Sequence, residues 1–200
     1  MKEDIIHKFV KRYVNIDGLD RAALYRDIMT LLSGVNRDGM FDLCKYMRTW
    51  KFDNKPSAKK HHGAFRGGLM MHCLIVYMVM RRLNHDLGLG LSDDTIIIVS
   101  FGHDMCKIKQ YNINRLGMIT YASKYNNMHA GLSLDILKSF IKLTDEEDAM
   151  IRYHMGVFNS GEYTLDAWRD ARKKFGVVQI FAYADYISTM IEEELIKKYL

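Results

Sequence analysis

Hydrophobic residues recur along this chain at three- and four-residue intervals, the period of an amphipathic helix. In "KEDIIHKFVKRYV", Ile5, Ile6, Phe9, Val10 and Val14 fall at helical spacing. In "LDRAALYRDIMTLLSGV", Leu24, Ile28, Leu31 and Leu32 share a face that ends near Gly34. A further short helix is expected around Met40–Met47, then a loop over 51–64. "RGGLMMHCLIVYMVMRRLNHDLG" predicts a strong helix over 66–83, with Leu69, Cys73, Val76 and Met80 in one stripe. Ser92 or Asp93 can cap the next helix, which ends on His103 and Asp104.

The pattern changes between 107 and 127. "KQYNI" and "GMITYA" flank "NRLG", and their β-branched and aromatic residues suggest a small hairpin. A helix resumes at about His129, and Thr144 with Glu147 forms a T-x-x-E capping box opening a helix over 145–155. A loop then leads into a short helix within "GEYTLDAWRDARKKFG", and the last long helix is "VVQIFAYADYISTMIEEELIKKYL". The one proline, Pro56, leaves long stretches without a breaker. The expected fold is a single all-α domain over residues 1–200 with one small β-excursion after residue 104.

Composition narrows the class. A chain of 200 residues with 26% charged positions suits one globular domain with a real core. No apolar run approaches the roughly 18 residues that cross a bilayer, and "MKEDIIHKFVKRYV" lacks the apolar core of a signal peptide. Three cysteines, Cys44, Cys73 and Cys106, are odd in number and form no C-x-x-C pair, as expected of reduced thiols in a cytoplasm. The net charge of +5 favours anionic partners such as phosphates, nucleotides or nucleic acid. The densest basic stretch, "KFDNKPSAKKHH", leads into a histidine-bearing helix.

Metal-ligand residue types fall on five of the predicted helices. His72 sits among Met70, Met71 and Leu74; His103 and Asp104 end an apolar helix; His129 opens one; His154 closes one; Asp185 lies inside "QIFAYADYISTM". A carboxylate among such neighbours is costly to bury unless it is paired or bound to a cation. A lone helical histidine is more often an ordinary core or surface residue, but several of these positions are apolar on both sides. Neutral imidazole with carboxylate suits divalent first-row metals.

In order and placement, His72, His103-Asp104 and Asp185 resemble the H…HD…D signature of the HD-domain metal-dependent phosphohydrolases. "HHGAFRGGLMMHCLIV", "GHDMCKI", "NNMHAGLSLDIL", "RYHMGVFNSGEY" and "AYADYIST" are similar to successive motifs of the branch that contains the bacterial HD-domain 3′–5′ exoribonuclease. The resemblance covers residues 58–190 as an HD core and leaves 1–57 as accessory helices. It implies an all-helical bundle whose core helices deliver ligands to one metal centre. His129 and His154 resemble the extra ligands of dinuclear members, in which Asp104 would bridge two ions. His72, His103 and Asp185 would then hold one ion, and His129 with His154 the other.

The resemblance further implies a metal-activated water as nucleophile, with Lys107 neutralising a phosphate oxygen or orienting that water. It places His62 or Arg66 near the substrate phosphate. Two departures stand out: Cys106 replaces the usual glycine of H-D-x-G-K, and Met155 replaces the second histidine of H-H-G. The expected activity is hydrolysis of a phosphoester in a nucleotide or related small phosphorylated substrate. Two divalent ions per chain, from among Mn, Fe, Ni, Zn and Mg, are expected. Alternatives are an HD-type di-iron oxygenase, or a 3′–5′ exonuclease binding single-stranded nucleic acid along the Lys/Arg- and aromatic-rich segment 45–66. The remaining features, namely the fourteen methionines, His7, His85 and the "EEEL" run at 192–195, read as packing or solvated surface.

Overall fold

The computed structural model describes residues 1–60, 63–121, 129–156 and 163–200. It is mostly helical, with two small antiparallel hairpins. Three N-terminal helices, α1 (Lys2–Tyr13), α2 (Arg21–Ser33) and α3 (Met40–Thr49), lead to a 3-10 turn at Phe52–Asn54. The central helices α4 (Gly68–Leu87) and α5 (Asp93–Gly102) follow, then a short α6 (Lys107–Gln110). α7 (His129–Lys138), α8 (Asp145–Arg152), α9 (Leu165–Lys174) and α10 (Val177–Tyr199) complete the chain.

The expected hairpin after the HD pair is present: β3 (Tyr111–Ile113) pairs with β4 (Ile119–Tyr121), Asn112 opposite Thr120. A second hairpin, β1 (Val14–Asn15) with β2 (Gly18–Leu19), interrupts what periodicity alone reads as continuing helix. Its cause is local. The Asn15 side chain accepts the Asp17 amide, and Gly18 takes a φ of 101°, so the chain reverses within four residues. Val14, read above as a helical position, is consequently the first strand residue.

α4 is the axis of the bundle. Its buried face includes Leu69, Cys73, Val76 and Met80, and it packs most extensively on α10 and α5. Its entry is sterically tight: a Cβ on Gly68 would lie 2.1 Å from the Gly63 carbonyl oxygen, so only glycine fits there. α10 buries Val178, Phe181, Ser188, Ile191 and Leu195 against this core, giving one apolar cluster from Ile5 to Leu195. Among the described residues, seven methionines, including Met47, Met70, Met71 and Met150, are buried in that cluster. His7 and His85 are exposed, as their charged neighbours suggest. No helix among the described residues is long and apolar enough to cross a membrane.

Two caps form as their motifs predict. Ser92 Oγ accepts the Thr95 amide, and Thr144 and Glu147 make a reciprocal capping box on α8. Glu147 does more than cap. Its fully buried carboxylate also receives a two-pronged contact from Arg37, at 2.9 and 3.0 Å, and the Thr95 hydroxyl at 3.0 Å. One side chain thereby ties the α2–α3 loop, α5 and α8 together. Arg37 also donates to the Lys142 carbonyl.

Helix ends set the geometry of the chemistry-bearing residues. α5 stops at Gly102 rather than continuing through Asp104, and α8 stops at Arg152 rather than 155. His103, Asp104 and His154 therefore sit in turns just beyond helix C-termini, where the chain swings them inward.

Candidate metal centre

Six side chains from five regions of sequence meet at one point. α4 supplies His72, the turn after α5 supplies His103 and Asp104, the start of α7 supplies His129, the turn after α8 supplies His154, and α10 supplies Asp185. His72, His103, Asp104 and His154 are buried. Ligand atoms of His72, His103 and Asp104 lie within 4.8 Å of one another, as do those of Asp104, His129 and His154.

The two groups share Asp104 through different oxygens. Oδ2 is 3.4 Å from His72 Nε2 and 3.5 Å from His103 Nε2, whereas Oδ1 is 3.2 Å from His129 Nε2. Asp185 belongs to the first group, with Oδ1 3.2 Å from His72 Nε2 and 3.8 Å from His103 Nε2. The folded chain thus brings the side chains together in the two groups that the resemblance implies.

Whether these residues fit cations follows from their outer contacts. His103 Nδ1 donates to the Ser100 carbonyl at 2.9 Å, and His154 Nδ1 donates to the Ile151 carbonyl at 2.7 Å. His72 Nδ1 faces Glu192 Oε1 at 2.6 Å, and His129 Nδ1 faces Cys106 Sγ at 3.4 Å. In the neutral form of each ring these contacts place the proton on Nδ1 and direct Nε2, as a lone pair, into the site. Yet the Nε2 atoms of His72 and His103 are 3.1 Å apart, and those of His129 and His154 are 3.0 Å apart. Opposed lone pairs at such distances repel unless a proton or a metal cation lies between them. Asp104 Oδ1 is also buried without a hydrogen-bond donor among the described residues. The donor set and the orphaned oxygen both fit metal.

The charge balance agrees. Burial pushes His103 down to about 4 and His129 down to about 3, so both stay neutral at ordinary pH. Burial also opposes charging His72, but Glu192 and Asp185 outweigh it and raise its pKa to about 10. Burial disfavours an ionised Asp104, yet Lys107 and the surrounding histidines hold it well below the usual carboxylate range. Asp185 is lowered likewise, through His72 and His103 against the burial cost. Asp104, Asp185 and Glu192 surround Lys107, whose Nζ lies 2.5 Å from Asp104 Oδ2, and a His72 whose proton is held by the same carboxylates, a proton that a metal cation can replace. The neighbourhood favours added positive charge.

The other expected site residues divide. Lys107 lines the same cavity as the ligand cluster. Arg66 instead donates to the Asn114 carbonyl at 2.7 Å, bracing the β3–β4 hairpin, and does not line that cavity. His62 lies outside the described residues.

Two residues with a direct bearing on the cluster escape a reading of the sequence. Glu192 belongs to the "EEEL" run expected to be solvated, but it is fully buried against His72; Glu194 makes the expected i, i+4 pair with Lys198. The signal was its spacing: Glu192 follows Asp185 by seven residues, two helical turns along the same face. Cys106 contacts His129, and its thiol reaches Gln110 Oε1 at 3.6 Å. The turn after Asp104 has ordinary right-handed geometry at Cys106, with φ −58°, so a side chain is accommodated there without strain.

Fold and site together define an all-α protein with a buried His/Asp cluster able to hold metal ions. No family model matches the chain, and neither a curated protein nor a solved structure is significantly similar to it.

Proposed function

We propose that this protein is a metal-dependent phosphohydrolase that binds two divalent cations and cleaves a phosphoester bond in a nucleotide or related small phosphorylated substrate. The observation that carries the reading is the two-sided engagement of Asp104, one carboxylate oxygen toward each histidine pair. The resemblance of His72, His103-Asp104 and Asp185 to the H…HD…D signature supports it.

Asp104 would bridge the two cations; His72, His103 and Asp185 would complete one set of ligands, and His129 with His154 the other. Such a pair of ions supplies Lewis acidity at the phosphoryl oxygens and a water acidified toward neutral pH. Glu192 and the Ser100 and Ile151 carbonyls keep the imidazoles in the tautomer that presents Nε2 inward. Lys107 holds its proton tightly, because Asp104 outweighs the burial cost of its charge. Its ammonium stabilises negative charge accumulating on a substrate phosphoryl oxygen and does not act as a base. This fixed cation favours an anionic phosphoester over a neutral polyol, and hence hydrolysis over the oxygenase alternative. Of the segment 45–66, Met47, Phe52 and Lys55 are buried, which argues for a small substrate in the cavity over a strand laid along that surface.

The test is direct. Protein stripped with chelator and reloaded separately with Mn, Fe, Ni, Zn or Mg should hydrolyse a phosphodiester, a phosphomonoester or a member of a nucleotide panel. Asp104→Ala should abolish that activity. Complete inactivity of the wild type with every metal and substrate would overturn the reading.

A further inference from the structure

The cavity over the metal centre has a volume of about 750 Å³. That is far more than a phosphoryl group fills and falls in the range of roughly 300–1,000 Å³ occupied by drug-sized ligands. Its floor is the ligand cluster with Lys107. Its wall is built by α9 and α10 and includes Trp168, Gln179, Tyr183 and Tyr186.

Packing does not explain this wall. Tyr183 and Tyr186 are 53% and 60% exposed, lie one helical turn apart on α10, and flank Asp185 in sequence. Large aromatic side chains left on the surface beside a polar centre mark a binding face. Their surroundings are ordered by a short polar chain. Arg172 Nη1 donates to Gln179 Oε1 at 2.9 Å, and Gln179 Nε2 donates to the Tyr183 hydroxyl at 2.6 Å. The Tyr183 hydroxyl accepts in that contact, so its own proton is left to donate, and Gln179 keeps a second amide proton. The Arg172 guanidinium also covers the Trp168 ring at 4.6 Å. Trp168 is itself only 7% exposed, and its indole N–H is buried with no acceptor among the described residues. The wall thus offers flat apolar surface and a few donors and, among the described residues, no carboxylate other than Asp185. A sugar or polyol would find few partners on it. A flat ring with acceptor atoms on its edge would find both stacking and donors.

We propose that the α9–α10 wall is the recognition subsite for a planar heteroaromatic ring that the substrate carries next to its phosphoester. Tyr183 and Tyr186 provide the stacking surface, and the Gln179 amide with the Tyr183 hydroxyl reads the ring edge. The inference rests on the phosphohydrolase reading for the placement of the phosphate, while the ring subsite can be tested without turnover.

Binding is followed by the fluorescence of Trp168 in a Trp50→Phe background, with adenosine, adenosine 5′-monophosphate, uridine 5′-monophosphate and ribose 5-phosphate as probes. The nucleotides and adenosine should perturb Trp168, with ribose 5-phosphate binding at least about tenfold more weakly than either nucleotide. Tyr183→Ala and Tyr186→Ala, both at exposed positions that spare the core, should weaken nucleotide and adenosine binding about tenfold or more, without weakening ribose 5-phosphate. In turnover, the same variants should raise KM for nucleotides and leave KM for ribose 5-phosphate unchanged. Equal binding of ribose 5-phosphate and nucleotides, or unchanged nucleotide binding in both tyrosine variants, overturns the subsite. Ring-selective binding without hydrolysis would retain the subsite and remove the phosphohydrolase reading; hydrolysis indifferent to the ring would do the reverse.

Discussion

Glu192 Oε1 lies 2.6 Å from His72 Nδ1, both side chains being buried between α4 and α10. A carboxylate behind a histidine fixes its tautomer and raises the basicity of the nitrogen on the far side of the ring, here the one facing Asp104 and Asp185. Glu192→Gln retains the shape and removes the charge. We expect it to weaken metal binding about 10–100-fold, read by competition with a calibrated chelator. Undiminished affinity would mean that the contact serves packing alone.

The two ligand groups that share Asp104 predict distinct stoichiometries. After equilibrium dialysis and elemental analysis, wild-type protein should hold close to two ions per chain. His129→Ala and His154→Ala should each leave about one, while Asp104→Ala should deplete both sites. Two ions retained in His154→Ala would remove that histidine from the ligand set.

Cys106 stands behind His129 as Glu192 stands behind His72, with a softer and weaker acceptor. Cys106→Gly removes the contact, and the prediction is a loss of about tenfold or more in affinity at the His129–His154 site alone. Cys106→Ser, which retains an acceptor, should recover most of it. The d–d absorption of bound cobalt separates the two sites, and equal spectra for all three proteins would show Cys106 to be a spectator.

Arg37 and Glu147 make a purely structural prediction. Arg37→Met strands a buried carboxylate and should cost about 3 kcal/mol of unfolding free energy in urea melts. Burial works against ionising Glu147, but Arg37, the Thr144 amide and Thr95 prevail and lower its pKa below the ordinary 4.5. A depressed folded-state pKa gives stability that is complete above the unfolded-state value and fades as pH falls through the folded one. The difference between wild type and Arg37→Met should accordingly narrow below pH 4.5. A gap that widened on acidification would contradict the assignment.

The helices, the hairpin after residue 104 and both caps are legible in the sequence because each depends on neighbours within a few positions. So are the six clustered side chains, four through the resemblance to the H…HD…D signature and His129 and His154 through their resemblance to the extra ligands of dinuclear members. What escapes is set by distance in the chain. Glu192 looks solvated beside Glu193 and Glu194, and only the packing of α10 on α4 shows which carboxylate turns inward. Arg66 fits a phosphate-binding pattern, and only the position of the hairpin reveals that Asn114 claims it. The β1–β2 hairpin was hidden for a local reason, because the helical spacing of α1 runs on into Val14.

The contributors to the candidate metal centre are spread from residue 72 to residue 192, and the last two, Asp185 and Glu192, lie on α10. During synthesis the earlier helices leave the ribosome without the two carboxylates that flank His72. A chain in which α10 has not docked therefore lacks two of the carboxylates that could hold a cation beside His72. Any metal held by the cluster would in this sense report the docking of α10 on α4, a signal that an experimenter can read without assaying any reaction.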